Sequence, residues 1–400
     1  MKQDSGLLEM KRQNRRRIKA LIYRKAPITR GEVARQLGLT LPTVTTSVAD
    51  MLAEGMLREM PVDHWQAGPQ GGRKPLALDF DPAAACALGM ELHPGGITAL
   101  ATDLRGRTLA RVRAEQAPAA YSAMLDAAAR CLQDLQNQLP GRRVLGAGVG
   151  LPGFIETARG SIRFSYHPDW QGRQLAADLS GRLGLEVIID NNARMRITSE
   201  EMFARPTRPD AFAYFFISRG IACPVLAAGD VWSGCTAGAG EIGHTIVQPG
   251  GPVCPRCGHH GCLDAVASEN AILRQCAQAI QEGRAPRLAA LAGNGTLEMA
   301  QVLAAQQQGD EDVEQILAQA IRYLGIALAN TANLLSPPLV LVDGYLMQHR
   351  PNRELLRHTV ARYLYGLNSD EVRLEFLPFD PDRGARGAAG RIVKQLWLGA

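Results

Sequence analysis

Glu241-Ile-Gly-His244, followed closely by Cys254-Pro-Arg-Cys257-Gly-His-His-Gly-Cys262-Leu-Asp264, is the most specific stretch of this chain. Three cysteines within nine residues, interleaved with glycines that let a loop wrap an ion, match tetrahedral thiolate binding of zinc. His244 is read as the fourth ligand, with His259 and His260 as rivals from spacing alone. Four protein ligands close the shell around one Zn2+ per chain. With no open position for an activated water, the ion is structural and the pattern argues against zinc hydrolysis.

The rest of the composition sets the context for that loop. Eight cysteines in 400 residues do not make a disulfide framework, which places the chain in a reducing compartment. Met1 to Arg17 is polar and basic without the apolar core of a secretory signal, and no apolar run approaches the ~18 residues of a membrane span. The expectation is a cytoplasmic protein with no membrane insertion. Hydrophobic residues at 46% and charged residues at 21% exclude a disordered chain, and the length calls for two or three folding units. Charge is unevenly placed: residues 1–80 hold 14 Lys+Arg against 8 Asp+Glu, and the remainder 30 against 31. A localised positive region points to a polyanionic partner.

The basic end has its own pattern. An amphipathic helix spans about 8–23. Thr29-Arg-Gly-Glu32 has the spacing of a capping box opening a second helix, with Val33, Ala34 and Leu37 inward and Gly38 as its terminator. Thr40 caps a third helix on which Val44, Val48 and Met51 or Leu52 repeat. Two short helices around a Gly-containing turn, the second presenting small hydroxyl side chains, fit a helix-turn-helix. Thr43, Thr45, Thr46 and Ser47 on the recognition helix (41–53) are the candidate contacts to a double-stranded DNA operator. Strands at 56–60 and 76–80 flank Gly68-Pro-Gln-Gly-Gly-Arg-Lys-Pro75, a wing whose Arg73 and Lys74 suit a minor groove or phosphates.

From Ala85 the chain alternates strands and helices. Strands are expected at 85–91, 97–103, 108–113, 144–149, 185–189, 212–217 and 338–342, with helices at 119–138, 268–282, 313–333 and 385–397. Gly150-Leu-Pro-Gly153 follows one strand and Asp190-Asn191-Asn192 another, where α/β proteins bind ligands.

The Gly150–Gly153 loop, Glu241-Ile-Gly-His244, the cysteine cluster ending Gly261-Cys262-Leu-Asp264, and Ala329-Asn-Thr-Ala-Asn-Leu-Leu-Ser336 together resemble the ROK family of repressors, open reading frames and sugar kinases. The first 80 residues resemble the winged helix-turn-helix of the family's repressors. The resemblance implies an α/β, actin-like (ribonuclease H-like) two-lobe sugar-kinase fold preceded by a winged helix-turn-helix. Its domains are 1–82 for the DNA-binding head, 83–195 plus 376–400 for the first lobe, and 196–375 for the second lobe with the zinc loop and dimerisation surface. It implies a sugar or sugar-derivative effector contacting Gly150, Pro152, Gly153, Asn191, Asn192, Glu241, His244 and Asp264.

Departures from the kinase pattern remove the chemistry. Glu91-Leu-His-Pro-Gly-Gly-Ile97 stands where the first phosphate loop carries Asp, Gly, Gly and Thr, and Ser218-Arg-Gly-Ile-Ala222 replaces the second. Asn192 stands where kinases have the catalytic Asp, and an amide cannot take the sugar's proton. Asp264 replaces the common Glu, which shortens its reach by roughly 1.5 Å. Arg194 is read either as favouring a phosphorylated ligand or as an ion-pair partner, and Trp170 as a sugar platform or a core residue. The expectation is a non-enzymatic regulator of sugar uptake and metabolism genes, working as a homodimer or tetramer whose lobe closure answers to sugar. A kinase with a DNA-binding head, and a repressor controlled by a docked sugar-transport protein, are the alternatives.

Overall fold

The computed structural model describes residues 2–61, 76–93, 95–115, 118–204, 208–236, 238–293, 295–368 and 371–399. The chain divides into two compact units, Met1–Arg208 with Asp382–Ala400, and Pro209–Pro381.

The first unit begins with α1 (Lys2–Lys25), longer at its start than the expected helix, which buries Ile18 and Ile22. β1 (Ile28–Thr29) leads into α2 (Arg30–Leu37) through the anticipated capping box. The Thr29 hydroxyl accepts from the Glu32 amide at 3.3 Å, and the Glu32 carboxylate accepts from the Thr29 amide at 2.9 Å. Gly38 ends α2 at φ 65°, the left-handed conformation that favours glycine. Thr40 caps α3 (Leu41–Ala53), whose buried face is Val44, Val48 and Met51. β2 (Leu57–Pro61) and β3 (Leu76–Phe80) pair antiparallel, and β1 adds an unanticipated third strand in the order β1-β3-β2. The wing between β2 and β3, with Arg73 and Lys74, lies outside the described residues.

β4 (Cys86–His93), β5 (Gly96–Asp103) and β6 (Thr108–Ala114) form a meander followed by α4 (Tyr121–Asn137), β7 (Val144–Leu151), the hairpin β8 (Phe154–Glu156) and β9 (Ser161–Phe164), α5 (Leu175–Leu183), β10 (Val187–Asn191) and α6 (Asn192–Phe203). The sheet order is β10-β7-β4-β5-β6, parallel from β10 to β4 and antiparallel beyond. β5 is buried along its whole length because helices cover both faces of the sheet.

The second unit holds β11 (Phe212–Ile217), β12 (Ile221–Ala222), β13 (Val225–Ala227), β14 (Asp230–Val231), α7 (Leu263–Ala267), α8 (Glu269–Gln281), α9 (Pro286–Ala292), α10 (Met299–Gln307), α11 (Glu311–Leu335), β15 (Leu339–Asp343), α12 (Arg350–Tyr363) and β16 (Arg373–Phe376). Its sheet runs β14-β13-β11-β15-β16, with β12 paired to β11. The chain then returns to the first unit as α13 (Arg383–Ile392), continued by a π-helical stretch Val393–Leu398. Among the described residues no helix is long and apolar enough to cross a membrane.

The lobe boundaries differ from the expected 195/196 and 375/376. α6 is one uninterrupted helix packed along α13, so the first unit extends to Arg208. β16 pairs with β15, which keeps the chain in the second unit to Pro381. The expected head, 1–82, is part of the first unit because it shares a core with it. Ile18, Ile22 and Phe80 pack in one cluster with Ala389, Val393 and Trp397. Phe80 lies edge-on to Tyr23 and to Trp397, with ring centres 5.8 and 6.2 Å away. The Tyr23 hydroxyl donates to the Leu104 carbonyl at 2.6 Å, and Lys19 Nζ donates to the Trp397 carbonyl at 2.5 Å. Burial, helped by Arg15, pulls the Lys19 amine down to about 8.

Trp397→Ala removes the indole at the centre of this shared core. Truncation of a large buried aromatic costs about 3–5 kcal/mol. The expected outcome is a lowered urea midpoint, followed by circular dichroism.

Candidate metal centre and effector site

The cysteine loop is shaped by its glycines. Cys254 donates its amide to the His259 carbonyl at 2.8 Å, and Gly258 donates back to the Cys254 carbonyl at 2.9 Å, closing a tight turn. Gly261 sits at φ 71°, where an added Cβ would lie 1.6 Å from the Gln248 carbonyl oxygen, so only glycine lets the two strands of the loop meet. A short bridge between Ile246 and Cys262 brings the loop back beside the 3-10 turn Ile242–His244.

The result is a cluster of His244, Cys254, Cys257 and Cys262 whose ligand atoms all lie within 4.8 Å of one another. Cys254 Sγ and His244 Nδ1 are 4.0 Å apart. Metal–sulfur bonds near 2.3 Å and metal–nitrogen bonds near 2.0 Å set ligand separations of this order, so the four residues could hold one metal ion. The rival ligands stand outside: His259 and His260 are exposed, and His260 Nδ1 is 3.0 Å from the Gly251 carbonyl oxygen. Burial opposes ionisation of Cys254, but the amides of Cys257 and Arg256 and the neighbouring thiols outweigh it and hold its pKa below the ordinary thiol value. Burial pushes the Cys262 thiol up to about 12, and its hydrogen bond to Cys254 adds to the rise.

Asp264 lies in the first turn of α7, two residues beyond Cys262. Its Oδ1 accepts from the Ile221 amide at 2.8 Å and its Oδ2 lies 3.4 Å from Arg256 Nη1. Burial raises its pKa against the opposing pull of Arg256 and the Ile221 amide. Arg256 was not singled out from the sequence. Its signal is an arginine standing between two candidate ligand cysteines, Cys254-Pro-Arg-Cys257, from where its guanidinium reaches Asp264. Glu241, half-buried, begins the turn that carries His244.

In the first unit the remaining expected effector contacts gather at one end of the sheet. Gly150 is the exception to its expected place in a loop, because β7 runs on through Leu151 and Gly150 pairs with Asp190 and Glu91. Pro152 and Gly153 form the turn. The expected strand 185–189 is displaced to Val187–Asn191, so Asn191 ends the strand and caps α6. Its Oδ1 accepts from the Ala193 amide at 2.9 Å and its Nδ2 donates to the Gly153 carbonyl at 3.0 Å. Asn191 therefore ties the turn to the helix. Asn192 Oδ1 also accepts from the Ala193 amide, at 3.0 Å.

Glu91 opens the stretch expected to stand in place of the first phosphate loop. It is 1% exposed and held by Arg196, Nε at 3.0 Å and Nη2 at 2.8 Å. Arg196 is a second residue missed in the sequence, where helix periodicity gives no sign that a guanidinium points at β4. Arg194 resolves to the ion-pair reading, with Nε 2.6 Å from Asp190 Oδ1. Trp170 resolves to the core reading, 2% exposed with its Nε1 donating to the Ala119 carbonyl at 2.7 Å.

On α3, Thr43, Thr45 and Thr46 are exposed, and the Thr43 hydroxyl lies 2.8 Å from that of Thr40. Ser47 departs from the expected outer face. It is half-buried and its hydroxyl oxygen is shut off from solvent without a hydrogen-bond partner.

Residues 88–395 match the ROK family, and residues 11–58 match winged helix-turn-helix DNA-binding domains. The chain belongs to the ROK family. The DNA-binding transcriptional dual regulator NagC of Escherichia coli K12 is 25% identical over 97% of this chain and 94% of its own length. The xylose repressor of Bacillus subtilis strain 168 is 25% identical over 86% of this chain and 84% of that protein. Among solved structures, a ROK family transcriptional regulator homologous to the E. coli MLC protein superposes with a TM-score of 0.83 at 24% identity, covering 98% of this chain and 97% of that one. The fold is thus the actin-like ROK architecture with an N-terminal winged helix domain.

Cys257→Ser should release the metal and lower thermal stability together, since metal binding in such sites is coupled to folding. Metal content by atomic emission after dialysis checks this. The same measurement across pH should show metal retained at neutral pH and lost as pH falls, because thiolates and a neutral imidazole are the binding forms.

Proposed function

We propose that this ROK protein is a sugar-responsive DNA-binding transcriptional repressor of sugar uptake and metabolism genes. The observation that carries the reading is the joining, in one unit with one core, of a complete helix-turn-helix to a kinase-like lobe, in a chain that aligns across both parts with NagC. Thr43, Thr45 and Thr46 on the exposed face of α3 read the operator, with Arg73 and Lys74 on groove or phosphate. Ser47 supports the packing of α3 more than its outer face.

The effector is a sugar or sugar derivative received by Pro152, Gly153, Asn192, Glu241, His244 and Asp264, with Gly150 and Asn191 shaping the turn. His244 gives one ring nitrogen to the metal and the other to the ligand. The donor set of three thiols and one imidazole fits Zn2+, which would stabilise the loop as a structural ion with no open coordination position for chemistry. Phosphoryl transfer is lost. Asn192 offers an amide where a base is needed, and the Glu91 carboxylate is consumed by Arg196.

A homodimer places two heads on a pseudo-palindromic operator, and a tetramer is compatible with the same logic. The protein works in the cytoplasm at the nucleoid. Control by a docked sugar-transport protein is the reading to take up if no sugar acts. Whatever the effector, it must bind one conformation more tightly than the other to move the equilibrium.

Fluorescence anisotropy of zinc-loaded protein on DNA from upstream of its own gene and of neighbouring sugar-transport genes, at fixed salt, tests the reading. Selective binding that one free or phosphorylated sugar shifts is the expected result. No selective binding, together with ATP-dependent sugar phosphorylation, would overturn it. Thr46→Ala should cost about 1–3 kcal/mol on the selected operator and much less on random DNA.

A further inference from the structure

The hairpin of β8 and β9 grows directly out of the turn that carries Pro152 and Gly153, and it has two unlike faces. Ile155 and Ile162 pair across it and are fully buried in the core of the first unit. The register then shifts by one residue, so that Phe154 pairs with Phe164. Bulges of this kind re-aim side chains and recur beside functional sites. Here the shift brings Phe164, two positions after a buried isoleucine, out beside Phe154. Where a strand that meets water ordinarily alternates to polar residues, this hairpin presents rings.

The rings form a row. Phe154 is half-buried, whereas Phe164 and Tyr166, just past the strand, are each 38% exposed. The centres of Phe154 and Phe164 are 5.6 Å apart, and Tyr166 stands edge-on to Phe164 at 5.7 Å. Tyr166 is flanked by anchors: Ser165 is buried, its Oγ accepts from the His167 amide at 3.1 Å, and the His167 ring lies 4.5 Å from that of the buried Trp170. Gly153 joins the row to the effector turn. At φ 115°, a Cβ there would lie 2.3 Å from the Phe164 carbonyl oxygen, so only glycine admits the approach. The Gly153 carbonyl accepts in turn from Asn191 Nδ2 at 3.0 Å. Contiguous exposed rings on a fixed support mark places where a ligand rests, and these rings begin one residue beyond the turn.

We propose that Phe164 and Tyr166, backed by Phe154, form a subsite for a second saccharide ring, so that the effector is a disaccharide or a longer oligosaccharide and not a free monosaccharide. The proposal rests on the sugar-effector reading above and adds the size of the ligand to it. A pyranose ring carries C–H groups on its faces and hydroxyls around its rim, so its face suits an aromatic surface while its rim stays in water. A sugar seated against Pro152 and Gly153 leaves the adjoining rings to the unit linked to it.

Isothermal titration calorimetry of the full-length, metal-loaded protein tests the subsite. The probes are glucose, galactose, xylose and N-acetylglucosamine, each beside a disaccharide that contains it. One disaccharide should bind about tenfold or more tighter than its own monosaccharide. Phe164→Ala and Tyr166→Ala should each remove most of that advantage, and Tyr166→Phe should keep it. Operator binding without saccharide should be unchanged in all three variants, which reports an intact fold. A monosaccharide bound as tightly as its disaccharide overturns the proposal and leaves the sugar-effector reading standing. So does a disaccharide advantage that survives in F164A/Y166A. Absence of binding by every saccharide overturns both.

Discussion

Backbone touching backbone is the constraint on which the first unit depends. A Cβ on Gly89 of β4 would lie 1.9 Å from the Ala385 carbonyl oxygen, and one on Gly148 of β7 would lie 2.1 Å from that of Ala388. On the other side of α13, a Cβ on Gly387 would lie 1.7 Å from the Met195 carbonyl oxygen of α6. The helix can lie this deep only because one side of each contact is a glycine, on the sheet at Gly89 and Gly148 and on the helix itself at Gly387. Because it does, the last residues of the chain reach past the sheet and place Trp397 against Phe80 of the head. The DNA-binding end and the C-terminal end are thereby made parts of one core.

That depth of burial has an electrostatic consequence. α6 carries Arg194, Arg196, Glu200 and Glu201 into the interior, where an unpaired charge is very costly. Each is answered: Arg194 by Asp190, Arg196 by Glu91, Glu200 by Arg383 and Arg208, Glu201 by Lys394 at 2.9 Å. The pairs lock the helix to β4, β10 and α13. They also fix its first turn, where Asn191 and Asn192 stand, so this end of the sheet is held by hydrogen bonds and ion pairs.

The metal loop follows a different logic. Small and left-handed glycines let a short segment fold on itself until one imidazole and three thiols meet, and Arg256, between Cys254 and Cys257, reaches towards Asp264. The metal cluster and a candidate effector carboxylate are consequently consecutive parts of one segment, and what steadies the first steadies the second.

Local chemistry made much of this legible in the sequence. The capping box at Thr29 and Glu32, the cap at Thr40, the strand alternation and the cysteine spacing depend on residues a few positions apart, so their reading survives folding. The likeness to the ROK family rested on short motifs of the same kind. What the sequence left open was settled by contacts between distant residues. His244 prevailed over His259 and His260 because a bridge from Ile246 to Cys262 turns the loop back upon it. Arg194 and Trp170 became an ion pair and a core residue through Asp190 and Ala119. Ser47 turned inward, and the boundary moved from 195 to Arg208 because α6 is held along its full length by α13. Spacing along the chain determines which groups can cap, coordinate or alternate. The packing of α13 against glycines far away in sequence decided which groups of α6 were buried and paired, and the bridge from Ile246 to Cys262 decided which ligands met in the metal loop.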